Sequence, residues 1–296
     1  MTLRHFLSLR DFSGDEISAI VERAIELKAL RANGERPPLF ERKVLAMIFE
    51  KSSTRTRVSF EAAMAEGGGR AIFLSTKETQ LGRGEPPEDT ARVLSEMADA
   101  IMIRTFAHDV VERMADSASI PVINGLTNEL HPCQLLADLM TFREHRGAIQ
   151  GAKVAWIGDG NNMCNSYINA AALMGFDLHI ACPEGYDPKL AAGSNVHVGH
   201  DPVVATKAAN LVVTDVWASM GQETETEQRR QVFGAYQVNQ ELMRHAESDA
   251  IFMHCLPAHR GEEVSGEVIE GAQSVVWDEA GNRLHAQKAL LEFLLA

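Results

Sequence analysis

Several familiar signatures are missing from this chain, and each absence excludes a class of protein. Its four cysteines, Cys133, Cys164, Cys182 and Cys255, are widely spaced and form no C-x-x-C pair. That excludes a disulfide framework and the common zinc spacings, and points to reduced intracellular thiols. No apolar run approaches the length that spans a bilayer, and the opening M-T-L-R-H-F-L-S-L-R holds no signal-peptide core. Positive charge is scarce: 28 Lys and Arg stand against 41 Asp and Glu, for a net charge of −13. Such a surface disfavours both nucleic acid and anionic membranes as partners, and the expectation is a cytoplasmic protein. A complete dinucleotide fingerprint is also lacking. Gly158 and Gly160 follow an apolar run, but Met163 stands where the third glycine belongs. The next run ends Ala181-Cys182-Pro183, with no acid to hold a ribose hydroxyl, so a nicotinamide cofactor is not indicated.

What the chain does have is ample core material. Hydrophobic residues make up 45% of 296 positions and charged ones 23%, ordinary values for a folded protein of two domains or one large one. The most informative stretch begins with the uncharged run 44–49, V-L-A-M-I-F, which reads as a buried parallel strand. S-S-T-R-T-R follows, then a helical pattern stopped by Gly67, Gly68 and Gly69. Ser53, Thr54, Arg55 and Thr56 therefore fall in the first turn of a helix, where unpaired N–H groups and the dipole favour an anion. Hydroxyls and a guanidinium fork suit phosphate oxygens, so the stretch reads as a phosphate pocket without a glycine-rich loop. The plainer alternative is an N-cap beside a solvated arginine.

In order, residues 13–30 form a helix capped by Ser13 with Glu16 three positions on. A short strand at 71–74 precedes a loop, 75–87, rich in glycine, proline and polar residues. A helix at 88–98, a strand at 100–104 ending in Arg104, a helix near 109–117, a strand at 121–124 and a turn at Gly125 follow. H-P-C-Q then opens a helix to about residue 145, with His131 and Gln134 in its first turn. After Gly147 the alternation resumes: strands at 154–157, 178–182, 195–198, 211–214, 250–255 and 274–277, with helices between. The expected fold is α/β, with two doubly wound parallel-sheet domains joined by helices and the active site in the interdomain cleft. The first domain takes 1–147, with the helix 283–296 packing back on it, and the second takes 148–282. Chemistry-bearing groups cluster after strand ends: D-V-W-A-S-M-G after 211–214, and H-C-L-P-A-H-R-G-E-E after 250–253. His254, Cys255 and His259 lack a fourth metal ligand at workable spacing, and a Cys–His nucleophile pair lacks an oxyanion turn.

S-T-R-T-R after a strand, H-P-x-Q, D-x-x-x-S-M-G and H-C-L-P, in that order along the whole chain, resemble the transcarbamoylase family. The last two resemble its ornithine carbamoyltransferase members. The resemblance implies transfer of the carbamoyl group of carbamoyl phosphate to the side-chain amine of L-ornithine, giving citrulline and phosphate. That is a step of arginine metabolism requiring neither metal nor organic cofactor. It assigns Ser53, Thr54, Arg55 and Thr56 to the phosphate. Arg104 bridges phosphate and carbonyl oxygen, His131 bonds that oxygen, and Gln134 bonds the carbamoyl amide, with Pro132 and Cys133 beside them. Gln80 reaches a neighbouring subunit's site, which implies a homotrimer or a multiple of trimers. Asn162 and the Met220 backbone bind the ornithine carboxylate, and Asp215 and Ser219 its α-amino group. Cys255, the Leu256 backbone and Arg283 lie near the reacting amine. The implied catalytic set is Arg104, His131, Asp215, Cys255 and Arg283. Alternatives are a transcarbamoylase acting on N-acetylornithine or aspartate, and a non-catalytic phosphate-binding relative.

Overall fold

The structure, a computed structural model, describes residues 3–190, 193–218 and 226–296. The chain forms two compact units: Met1–Met140 with Gly281–Ala296, and Thr141–Ala280.

The first unit opens with helix α1, Gly14–Ala32, capped as its sequence predicts: Ser13 accepts from the Glu16 amide while Glu16 reaches back to the Ser13 amide. Four strands follow: β1 Val44–Phe49, β2 Arg70–Ser75, β3 Ala100–Arg104 and β4 Val122–Leu126. Helices α2 (Thr54–Glu66), α3 (Pro87–Ser95) and α4 (His108–Ser117) connect them. All pairings are parallel, in the order β2-β1-β3-β4. In β1 every residue after Val44 is buried, as an uncharged run in the middle of a covered parallel sheet should be. β2 is an edge and leaves Ile72 and Phe73 exposed. Helix α5, Pro132–Arg146, starts in this unit and ends in the other.

Gly125 is not a turn. It lies inside β4, where the register slips between Ile103 and Arg104. A Cβ there would sit 2.5 Å from Met102 Sδ, so glycine serves close packing.

The second unit holds β5 Lys153–Ile157, β6 Asp177–Ala181, β7 Val196–Gly199, β8 Leu211–Thr214 and β9 Ile251–His254. They are parallel, in the order β7-β6-β5-β8-β9. Its helices are α6 (Asn162–Met174), α7 (Pro202–Thr206), α8 (Thr226–Phe233), α9 (Gln240–Met243) and α10 (Gly266–Ile269). The expected strand at 274–277 does not form. Ser274 makes a single bridge to Phe252, and helix α11, Val276–Leu295, begins two residues later. The backbone at Gln273 and Val275 is spent on Phe252, after which the chain is free to coil.

From Gly281 onward α11 belongs to the first unit. Its Phe293 ring meets Phe12 edge-on at 5.0 Å, Glu292 pairs with Arg23 at 2.7 Å, and Asn282 accepts from Lys28 at 2.9 Å. By their internal contacts the two units divide within α5 and α11.

Candidate active site

In the first unit the carboxyl ends of β1 and β3 and the starts of α2 and α5 converge. Ser53 is the N-cap of α2, its hydroxyl accepting from the Thr56 amide at 3.1 Å. The amides of Thr54 and Arg55 lie in the same first turn, where the helix offers no carbonyl to receive them. Thr56 is buried, and its hydroxyl collects two guanidiniums: Arg104 Nη1 at 3.4 Å and Arg283 Nη2 at 3.2 Å. Arg283 Nη1 donates to Gln134 Oε1 at 2.5 Å. The Gln134 amide nitrogen in turn donates to Asp138 at 2.9 Å, which turns the Gln134 oxygen toward Arg283.

His131 is 5% exposed beside this group. Burial first, then Arg283, Arg104 and Arg55, holds its pKa well below the ordinary histidine value. The ring is therefore neutral near pH 7, able to donate one hydrogen bond without adding charge. So a chain of net charge −13 carries a local concentration of three guanidiniums.

Cys133 points elsewhere: its buried thiol donates to the Asn124 carbonyl at 3.3 Å, and burial pushes its pKa up to about 12. Pro132 is the first residue of α5. The Gln80 side chain is exposed, and its carbonyl accepts from the Arg83 and Glu85 amides at 2.8 and 3.1 Å. The surrounding loop is more structured than its composition suggests. Two short 3-10 turns, Thr76–Glu78 and Leu81–Arg83, fold on each other so closely that a Cβ on Gly82 would lie 1.9 Å from the Thr76 carbonyl oxygen.

In the second unit the groups gather after β8 and β9. Asp215 is 7% exposed. One of its oxygens accepts from the Val216 amide at 2.8 Å and the Cys255 thiol at 3.2 Å, the other from Asn161 Nδ2 at 2.8 Å. Asn161 is also the N-cap of α6, its oxygen accepting from the Met163 and Cys164 amides. Asn161, which the sequence reading did not single out, is thus a partner of Asp215; its N-cap position after G-D-G is the available signal. Ser219 and Met220 lie outside the described residues.

Glycines 158 and 160 serve packing. A Cβ on Gly160 would sit 2.3 Å from Pro188 N, and Gly158 has φ 130°.

The H-C-L-P segment is braced from behind. Glu263, fully buried, accepts from the His259 amide at 2.6 Å and meets His254 Nε2 at 3.0 Å. The Leu256 amide donates to His254 Nδ1 at 2.9 Å, so the ring proton sits on Nε2 and is donated to Glu263. Glu279 accepts from the His254 amide at 2.9 Å. Leu256 is thereby held at φ 55°, a left-handed conformation costing roughly 1–2 kcal/mol for a residue with a Cβ. Asp215, His254 and Cys255 bring ligand-type atoms within 4.8 Å of one another, but both His254 nitrogens already serve this network. Glu263 and Glu279 were not visible as site residues in the sequence. A second buried pair, Asp159 with Arg229 at 3.0 Å, ties the loop after β5 to the Asp215 loop after β8, since Arg229 also donates to the Trp217 carbonyl at 2.7 Å.

Comparison with known proteins gives a consistent result. Residues 4–144 match the carbamoyl-P binding domain of aspartate/ornithine carbamoyltransferase, and residues 150–294 its Asp/Orn binding domain. The chain is 64% identical to the ornithine carbamoyltransferase of Methylococcus capsulatus, over 100% of this chain and 99% of that protein. It is 61% identical to that of Halorhodospira halophila, over 99% of both. Among solved structures, the ornithine carbamoyltransferase from Burkholderia thailandensis superposes with a TM-score of 0.93 at 52% identity, covering 99% of each chain. That from Pyrococcus furiosus gives 0.93 at 52%, covering 97% of this chain and 96% of the other.

Proposed function

Since the chain belongs to the aspartate/ornithine carbamoyltransferase family, we propose that it transfers the carbamoyl group of carbamoyl phosphate to the side-chain amine of L-ornithine, releasing L-citrulline and phosphate. The observation that carries this reading is one chain holding both a guanidinium-lined helix start and a buried carboxylate bonded to a thiol. The first suits a phosphate dianion, the second an ammonium. The first unit is the carbamoyl-phosphate half on this reading, and the second the ornithine half.

The first turn of α2, Ser53 to Thr56, takes the phosphate. Arg104, Thr56 and His131 stabilise the carbonyl oxygen as it gains negative charge, and a neutral His131 donates without repelling the arginines. The Gln134 oxygen, fixed by Asp138, accepts from the carbamoyl amide. Ornithine's side-chain amine, with a lysine-like pKa of about 10.4, must shed a proton before it attacks. Cys255 and Asp215, hydrogen-bonded to each other, are the groups placed to assist. Asp215 and Ser219 pair the α-ammonium, and Asn162 with the Met220 backbone takes the carboxylate. Phosphate then leaves from a site already arranged for a dianion. The rate gain comes chiefly from positioning and preset electrostatics.

The test is citrulline formation from carbamoyl phosphate with ornithine, against aspartate and N-acetylornithine. Ornithine should be preferred by orders of magnitude, because an acetylated nitrogen sets an uncharged amide against the Asp215 carboxylate. Equal turnover of N-acetylornithine would remove Asp215 from this role.

No helix among the described residues is long and apolar enough to cross a membrane, and the acidic chain with four free cysteines fits a cytoplasmic enzyme. We further propose a trimer, or a multiple of trimers, in which Gln80 serves a neighbour's phosphate. Supporting it are the exposed apolar side chains Val58, Ile72 and Phe73 on α2 and the edge strand, and an exposed Gln80 on the adjoining loop. A head-to-tail ring of three is the simplest closed assembly that lets each loop reach the next subunit. Mixing Arg55→Ala and Gln80→Ala chains after reversible dissociation should restore about one quarter of wild-type activity, since about three quarters of random rings are mixed and each has one intact site in three. No recovery despite proven exchange would return Gln80 to its own chain.

A further inference from the structure

We infer that Gln287 is a positioning residue that sets the Arg283 guanidinium and ties it to the backbone of the phosphate turn. This deepens, and rests on, the carbamoyl-transfer reading. Gln287 lies one helical turn beyond Arg283 on α11, hence on the same face, and is fully buried. With its amide oxygen toward Arg283, that oxygen accepts from Nε at 3.1 Å and from Nη2 at 2.8 Å. The amide nitrogen then donates to Ser59 Oγ at 2.5 Å. Ser59 has its own hydroxyl proton engaged with the Arg55 carbonyl at 2.6 Å, with the Thr56 carbonyl at 3.1 Å, so its lone pairs are the ones facing Gln287. The opposite amide orientation would set donor against donor at Arg283.

The result is a continuous relay of fixed direction: Arg283 to Gln287, Gln287 to Ser59, Ser59 to the Arg55 carbonyl. It reaches the first turn of α2 from behind, while the other edge of the Arg283 fork reaches Thr56 and Gln134 from the front. A guanidinium has five donors in one rigid plane, so holding the Nε–Nη2 edge fixes where Nη1 points. Gln287 touches neither substrate. Its effect would pass through Arg283, on the step at which charge moves, more than on carbamoyl phosphate binding.

The first arm of the test is wild-type citrulline formation. If that fails, the proposed reaction falls independently of Gln287. With an active wild type, Gln287→Met keeps the length and removes both polar ends. Its kcat should fall by about tenfold or more, since small misplacements of a reacting group are costly, while its Kd for carbamoyl phosphate alone stays within about threefold. Gln287→Glu retains an acceptor for Arg283 but loses the donor to Ser59, and should recover part of the lost kcat at saturating substrate. A Gln287→Met kcat within twofold of wild type overturns the inference, as does a Gln287→Glu variant no better than Gln287→Met. Should Gln287→Met not fold, Ser59→Ala and the pair with Gln287→Glu decide. Because Gln287→Glu has already cut the donor link to Ser59, adding Ser59→Ala should cost little further kcat, and fully additive losses break the relay.

Discussion

At the carboxyl ends of β1 and β3 the first unit sets Arg55 and Arg104, joined there by Arg283 from α11; at the carboxyl ends of β8 and β9 the second sets Asp215 and Cys255. Both sheets are parallel, both place their chemistry where strands end and loops begin, and the two assemble opposite charges. They also differ in how the groups are held. In the first unit Arg104 and Arg283 meet the neutral oxygens of Thr56 and Gln134. In the second the carboxylate Asp215 is oriented by an amide and a thiol, while a separate buried carboxylate, Glu263, supports the loop from behind. One backbone plan thus gathers guanidiniums at a helix start in one unit and a carboxylate beside a thiol in the other.

That comparison breaks first at Asp215. Asp215→Asn preserves shape and removes the charge, leaving the ornithine ammonium without a buried partner, a loss of about 3–5 kcal/mol. The expected outcome is a fall in kcat/KM for ornithine of about 10²- to 4 × 10³-fold, with the Kd of carbamoyl phosphate measured alone unchanged within about twofold. Steady-state kinetics beside equilibrium titration read both. A loss below about tenfold would mean that the second site does not depend on its charge.

The reverse test is Arg55→Ala. Losing a charge-assisted contact of about 1.5–3 kcal/mol should weaken carbamoyl phosphate binding by about 10- to 100-fold. Titration without ornithine measures it. An unchanged Kd would leave Arg55 a solvated neighbour of an ordinary N-cap.

A smaller effect is expected from the brace. Glu263→Gln keeps the size, and its amide oxygen can still accept from both the His254 ring and the His259 amide, but without the carboxylate's charge. Two charge-assisted contacts then become neutral ones, and a buried NH2 replaces an oxygen that has no hydrogen-bond partner, at a cost of about 1–3 kcal/mol of stability. The loop carrying Cys255 and the left-handed Leu256 should loosen, raising the ornithine KM by severalfold while leaving the carbamoyl phosphate Kd unaltered. Thermal melts together with KM for each substrate distinguish this from a general loss of fold, which would affect both.

These three residues also mark what the sequence can and cannot disclose. The run 44–49 gave itself away as a covered parallel strand because burial on both faces leaves no room for polar residues. Ser13 and Ser53 announced their helix starts through local chemistry that needs no tertiary partner. Arg55, Arg104, His131, Asp215 and Cys255 were legible because they follow strand ends in a familiar order. Asn161 gave no sign of its bond to Asp215, since only the folded backbone shows which of two adjacent asparagines caps α6. Glu263 carried no periodic or spacing signal: its partners lie 9 and 4 residues away across a loop whose path is set tertiarily. Gly125 and the 274–277 segment failed for a related reason. A glycine required by contact with Met102, and a backbone consumed by one bridge to Phe252, look locally like a turn and a strand.

The smallest expected effect concerns His131 and acid. Its folded pKa is held well below 6.5, first by burial and then by Arg283, Arg104 and Arg55, whereas the unfolded chain titrates near 6.5. Between those two values the unfolded state binds a proton that the folded state refuses. Stability therefore rises with pH across that window, is lost as pH falls below about 6.5, and levels off once the folded ring also protonates. The slope from this group is at most about 1.4 kcal/mol per pH unit. His5 and His179 are also held low, chiefly by burial, so the measurement is a difference: denaturant unfolding of the wild type and of His131→Gln between pH 7.5 and 5.5. The variant should lose less stability on acidification than the wild type. Saturating inorganic phosphate should narrow the gap, because a bound anion near the arginines offsets the field that keeps the ring neutral. Parallel acid profiles for the two proteins, with and without phosphate, would detach His131 from the arginine cluster and leave the first unit's site electrostatically plainer than the second's.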